Sequence, residues 1–435
     1  MSNGRPNPVL GIVLGAAGVA AGVAAGIAAD RAGRHRAALD ALDTKEQLEI
    51  TPDEDRMVLT KDGVALHVEI DLPAPEAAAA AAKGLTSGDD PARLPTIVLS
   101  HGYCLSLRSW VYQRRALKAA GYRVVSWDHR GHGQSGRGEP TSYVLDQLGE
   151  DLKQVIDEVA PTGHLILAGH SMGGMTMLAL GERYPEFVRE RVAGAAFIGT
   201  SAGGLILANG GRSATFGRLV LERLGPTVLG PLSDRPELVV RLRRVARDLE
   251  ELLVEQNSFA SPVPRSVVRH TADMLMTTPP DVIRDFLLIF DGFDKRPALA
   301  EFKDTVTLVF NGMQDVLTPP GHSELIVEGI PGAEHIVVND AGHIIMLEHP
   351  DLLSAHLLEL AEQGTRAREE DIEVSRQPRV RRIVTDVAKS RRQRRTEREA
   401  DELVKAERAR ALAKLRRALA AQRAASAREE SRSGT

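Results

Sequence analysis

The stretch "HLILAGHSMGGMTMLALGERYP" (164–185) constrains this chain more than any other. A short apolar run rich in β-formers, "HLILAG" (164–169), enters a Gly-His-Ser-Met-Gly turn. Helix formers follow at once and stop at Tyr184-Pro185. Reversing a strand into a helix over so few residues forces the central serine into backbone strain, so small residues must flank it. The turn lifts the Ser171 hydroxyl above the sheet edge. It also aims the first, unpaired N–H groups of the helix at whatever the serine attacks.

The rest of the chain repeats this grammar. "RMVLTKDGVALHVEI" (56–70) reads as a hairpin around Lys61-Asp62-Gly63. Strands are predicted at "TIVLS" (96–100), "YRVVSW" (122–127), "VAGAAFIGT" (192–200), "DTVTLVFNG" (304–312) and "HIVVN" (335–339). Between them, 109–121, 143–161, 321–330 and 350–363 carry helical spacing, while 73–95 reads as loop by composition. The alternation predicts an α/β class: a mostly parallel sheet with helices on both faces. Residues 201–300 break it. "PELVVRLRRVARDLEELLVEQ" and "DVIRDFLLIFDGF" have helical periodicity and no strand pattern accompanies them. This predicts a core built from 56–200 and 301–363, with 201–300 an all-helical lid over one sheet edge.

Both ends differ from the core. Residues 8–29 hold no charge, and Gly11, Gly15, Gly18, Gly22 and Gly26 share one helical face. That pattern predicts a membrane anchor over 1–30, able to self-associate through its glycine face, with a cleaved signal peptide or a plain Ala/Gly low-complexity stretch as the alternatives. Arg31, Arg34 and Arg36 follow it, which places the body on the cytoplasmic side. Residues 31–55 form a linker. From Arg366 onward there are 21 Lys and Arg against 12 Asp and Glu, whereas the remainder holds 34 against 47. An acidic body therefore precedes a basic tail, 364–435, expected to be part charged helix and part disordered. Such a tail suits anionic lipid or a purely solvated role. Its interleaved acids and lack of aromatics argue against nucleic acid. Cys104 is the sole cysteine, so no internal disulfide is available, and no Cys/His cluster has zinc-ligand spacing. No metal and no cofactor are expected.

A serine nucleophile needs a base and a group that orients the base. Both should follow strands, to reach the same sheet edge. Asp315, in "MQDVLTPP", follows one; His343, in "AGHIIMLEHP", follows the next. Imidazole has the unperturbed pKa suited to taking the serine proton, and the aspartate fixes its tautomer. Asp340 is the rival acid, but it lies three residues from His343 on the same loop. The N–H groups of Tyr103, after the first parallel strand, and Met172 are assigned to hold the oxyanion. His101 becomes a loop-shaping residue. "GHGQSG" (131–136) fits a dinucleotide-binding pattern, but the acids about twenty residues on lie in a predicted helix, so it reads as a Gly-rich turn with Asp128 and Arg130 structural.

Together and in order, "HGYCLSLRSW", "DHRGHGQS", "GHSMGG", "NGMQDVLTP" and "AGHIIMLEHP" resemble the α/β-hydrolase family over roughly residues 56–363. The resemblance points to the lidded esterase, lipase and cofactor-free haloperoxidase-like branch. Serine at the nucleophile position speaks against epoxide hydrolases and haloalkane dehalogenases, which place Asp there. It implies a serine hydrolase acting on carboxylic esters, perhydrolase-like or acyltransferase activity being alternatives on the same triad; the lid's Leu, Val, Phe and Met content suggests an apolar acyl or alcohol group, as in a lipid ester. A non-catalytic, membrane-associated interaction protein is the reading of another class.

Overall fold

The computed structural model describes residues 48–83, 90–204, 254–287, 289–290, 292–374 and 381–392, with isolated positions from 395 to 406. Gln47–Asp386 form one compact unit; Met1–Glu46 and Val387–Thr435 are grouped in a second. The anchor and its glycine face, most of the linker, and 205–253 of the lid lie outside the described residues. Among those described, no helix is long and apolar enough to cross a membrane.

β1 (Glu54–Leu59) and β2 (Ala65–Asp71) form the hairpin, turning at Gly63 with φ 86°. α1 (Pro75–Ala82) then appears where the composition reads as loop. Its alanine run has the highest helix propensity and Pro75 suits a first turn, which outweighs the loop-like flanks. There follow β3 (Thr96–Ser100), α2 (Val111–Ala119), β4 (Val124–Trp127), α3 (Leu145–Val159), β5 (Leu165–His170), α4 (Met172–Arg183), α5 (Pro185–Arg191) and β6 (Val192–Ile198). The described part of the insertion contains α6 (Arg265–Thr277) and α7 (Pro280–Leu287). β7 (Val306–Gly312), α8 (Pro320–Gly329), β8 (Glu334–Val338), α9 (Pro350–Glu369) and β9 (Arg382–Val384) complete the unit.

The described strands form one sheet of order β1-β2-β4-β3-β5-β6-β7-β8-β9. The pairs β1–β2 and β2–β4 are antiparallel; from β4 to β9 every pair is parallel. Strand periodicity divides the core between the two faces. Ile97, Leu99, Ile166, Ala168, Leu308 and Phe310 pack with α2 and α9. Their neighbours Val98, Leu167, Phe197 and Val309 pack with α3, α4 and α8. Burying each such side chain stabilises the fold by about 1.5–3 kcal/mol relative to exposure. Because both faces are covered, the strands read as continuous apolar runs.

The charged tail begins later than its composition indicates. α9 continues six residues past Gln363 with Thr365 buried, and β9 pairs with β8. A three-residue strand needs main-chain partners more than an apolar pattern, so Arg381 and Arg382 mask it in the sequence.

Candidate active site

Ser171 is the single residue between β5 and α4. Its φ of 51° and ψ of −117° are strained for a residue with a side chain, a conformation costing about 1–3 kcal/mol. Its surroundings hold it there. The Ser171 N–H donates to the Ile198 carbonyl at 3.0 Å, and the Thr200 hydroxyl donates to the Ser171 carbonyl at 2.6 Å. A Cβ at Gly173 would lie 2.2 Å from the Ser100 carbonyl oxygen, so only glycine lets α4 approach the end of β3 this closely.

The loop after β3 lies against the serine. A Cβ at Gly102 would fall 2.6 Å from His170 Nδ1 and 3.2 Å from Ser171 Cβ. The next residue is Tyr103. Among the described residues, neither its N–H nor that of Met172, in the first turn of α4, donates to a backbone acceptor. The Tyr103 side chain reaches the insertion instead. Its phenol donates to the Ile283 carbonyl of α7, and its ring meets Phe290 edge-on at 5.2 Å. Burial pushes its pKa far up, so it stays protonated.

Asp315 follows β7 and His343 follows β8, both buried. His343 Nδ1 and Asp315 Oδ2 are 2.8 Å apart. The Thr318 hydroxyl donates to the same oxygen at 2.9 Å, while Oδ1 accepts the N–H groups of Leu317 and Thr318 at 2.8 and 2.9 Å. Asp340 serves elsewhere, its carbonyl accepting from His349 Nε2 at 3.0 Å. The residue before the serine ties this pair to it: His170 Nε2–H donates to the His343 carbonyl at 2.9 Å, with the rings 4.7 Å apart. A Cβ at Gly199, beyond β6, would be 3.4 Å from both Asp315 Oδ2 and the His343 carbonyl oxygen. Four strand ends thus converge on one small volume.

Thr318, His170 and Glu348 escaped the sequence reading. His170 was hidden inside the serine motif. Glu348 left one signal: a lone acid in the apolar run "HIIMLEHP". Its carboxylate accepts from the N–H of Gly342 at 2.7 Å, next to His343.

The other histidines near the site are main-chain braces. His101 Nδ1 faces the Gly102 carbonyl at 2.7 Å, and its Nε2 accepts the His129 N–H at 3.0 Å. Burial drives His101 and His170 well below the usual imidazole range, His129 to about 3 and His132 to about 4. In the Gly-rich turn, the Asp128 carboxylate accepts the N–H groups of Leu107 and Gln134 and lies 2.9 Å from His67 Nδ1. Arg130 is buried in a fork on Asp151. Among the described residues no three His, Cys, Asp or Glu side chains converge to hold a metal ion.

The comparisons agree with this architecture. The family model described as "alpha/beta hydrolase fold" matches residues 95–350. A monoacylglycerol lipase of Mycolicibacterium smegmatis is 26% identical over 271 residues, covering 58% of this chain and 85% of that protein. A putative carbamate hydrolase of Azorhizobium caulinodans is 29% identical over 266 residues, covering 60% and 89%. The structure of a thermophilic esterase from Thermogutta terrifontis superposes with a TM-score of 0.53 at 22% identity, covering 72% of this chain and 99% of that one. A strained serine at a strand-to-helix turn, a sheet with seven consecutive parallel strands, and a family match across the core together place this chain in the α/β-hydrolase fold family.

Proposed function

We propose that the chain hydrolyses carboxylic esters through an acyl-enzyme, with Ser171 as nucleophile, His343 as general base and acid, and Asp315 as the residue that orients His343. The observation that carries this reading is the Asp315–His343 hydrogen bond, joined through His170 to the residue next to the strained serine. With Nδ1–H donated to Asp315, His343 presents an unprotonated Nε2 for the serine proton. Ser171 attacks the acyl carbon, and the Tyr103 and Met172 N–H groups receive the charge on the carbonyl oxygen. His343 then protonates the departing alcohol. Water, activated by the same imidazole, releases the acid.

The apolar character of the surroundings favours an ester with an apolar acyl or alcohol group. Met172, Met175, Phe286, Phe290 and Phe293 form one buried cluster with Tyr103 packed on it. The helical insertion supplies three of these aromatic rings and acts as the roof of the site. A relative named as a monoacylglycerol lipase is consistent with a lipid-like ester. The test is a series of p-nitrophenyl esters of rising acyl length, run with wild type and Ser171→Ala, together with labelling by a fluorophosphonate. Wild type should label at Ser171 and turn over the longer esters, and Ser171→Ala should lose about 10⁴-fold or more. Equal rates in the two proteins would refute the reading.

A further inference from the structure

The carboxyl of Glu348 is 2% exposed, at the end of the single helical turn Ile345–Glu348. Its Oε1 accepts the N–H groups of Ala260 at 3.0 Å and Ser261 at 2.6 Å, and the Ser261 hydroxyl at 2.6 Å. Its Oε2 accepts the Gly342 N–H at 2.7 Å. One carboxylate therefore joins the residue before His343 to Ala260 and Ser261 within the helical insertion. A second tie lies on the other side of His343, where the Ile344 N–H donates to the Ser258 carbonyl at 3.1 Å. The two segments touch directly: a Cβ at Gly342 would be 2.7 Å from the Ser258 carbonyl oxygen and 3.0 Å from the Ala260 nitrogen.

Burying a carboxylate is costly unless its lone pairs are filled, and four donors fill these with charge-assisted bonds. Simple packing would be served by an apolar residue, as it is at Ile344, Ile345, Met346 and Leu347. The same insertion reaches the oxyanion loop through Ile283 and the Tyr103 phenol. We infer that Glu348 is a positioning residue for His343: it fixes the imidazole relative to Ser171 by clamping Gly342 to Ala260 and Ser261, so that base alignment depends on the seating of the insertion. The inference rests on the ester-hydrolase reading above.

Glu348→Gln tests it. The amide keeps the volume and one acceptor. Its oxygen belongs with the three donors at Ala260 and Ser261, which sets its NH2 against the Gly342 N–H. Measured per site titrated with a fluorophosphonate, kcat should fall about 10- to 100-fold while KM stays within about threefold. A role confined to folding would lower the number of titratable sites and leave kcat per site unchanged. A fall in kcat per site smaller than about threefold overturns the inference. Should Glu348→Gln yield no folded protein, Ser261→Ala decides. It removes only the hydroxyl donor and should lower kcat per site by about twofold or more, an unchanged value overturning the inference. The parent reading fails separately, if wild type does not label or Ser171→Ala retains activity.

Discussion

Replacing Asp315 by Asn should silence the site without unfolding it, and the surrounding bonds say why. Asp315 Oδ1 accepts two main-chain N–H groups, from Leu317 and Thr318, while Oδ2 faces His343 Nδ1 and the Thr318 hydroxyl. Asparagine has one oxygen to offer. Set toward Leu317 and Thr318, it keeps both main-chain bonds, and the Thr318 hydroxyl can turn to accept from the amide. Set toward His343, it would press an NH2 against two buried N–H donors. Each unmet donor costs about 1–3 kcal/mol, so the first arrangement wins by at least about 2 kcal/mol, roughly thirtyfold in population. In that arrangement the amide donates to Nδ1. His343 must then carry its proton on Nε2, where it cannot receive one from Ser171. The expected loss is about 10⁴-fold in kcat, or about 5.4 kcal/mol. Steady-state hydrolysis of a p-nitrophenyl ester gives the rate, and a melting curve confirms the fold. An Asp315→Asn protein that melts like wild type and keeps kcat within about tenfold would refute this assignment.

Two further outcomes follow from the same neighbourhood. Gly102→Ala drives a Cβ to 2.6 Å from His170 Nδ1, on a ring already tied to the His343 carbonyl, so the loop carrying the Tyr103 N–H must move instead. Loss of about 10²-fold in kcat is expected, with little change in KM; a variant within about twofold of wild type would contradict the placement of that donor. Acid sensitivity is the second. Burial lowers His129 to about 3 and His132 to about 4. The unfolded chain binds these protons near pH 6.5 and the folded chain does not, so their contribution is complete above 6.5 and fades as pH falls toward 4. Between pH 7.5 and 5 the two together should remove about 4 kcal/mol of stability. Burial pulls His67 down too, but the Asp128 hydrogen bond and charge hold it net above its usual value, and it works the other way. Urea unfolding at the two pH values measures this loss together with that from His101 and His170, which burial lowers in the same direction, and equal stabilities would refute the protonation states.

The legible part of this chain is the part fixed by periodicity and by strand ends. Apolar runs of strand length separated by helical spacing carry the parallel order, because a sheet covered on both faces leaves no polar alternation to confuse them. Ser171, Asp315 and His343 could be singled out because each follows such a run. What the sequence concealed depends on close approach. The alanine run at 75–82 reads equally as a flexible link until a partner surface buries Ala82. β9 is held by main-chain bonds to β8, which no side-chain pattern announces. His170 and Glu348 act through bonds to backbone as far as 173 positions away in the chain, and Thr318 through the side chains of Asp315 and His343, and only folding supplies those partners.

β9 also has a bearing on how the chain can be cut. A boundary drawn at 363, where the composition turns basic, would strip the outer flank of β8 and leave its N–H and C=O groups open along Ile336–Val338. An open row of that kind recruits strands from other molecules. The short arginine-flanked strand closes it and, being only three residues long, offers little purchase for a further strand. Fragments that keep 381–384 should stay dispersed, whereas those ending sooner invite sheet-to-sheet aggregation.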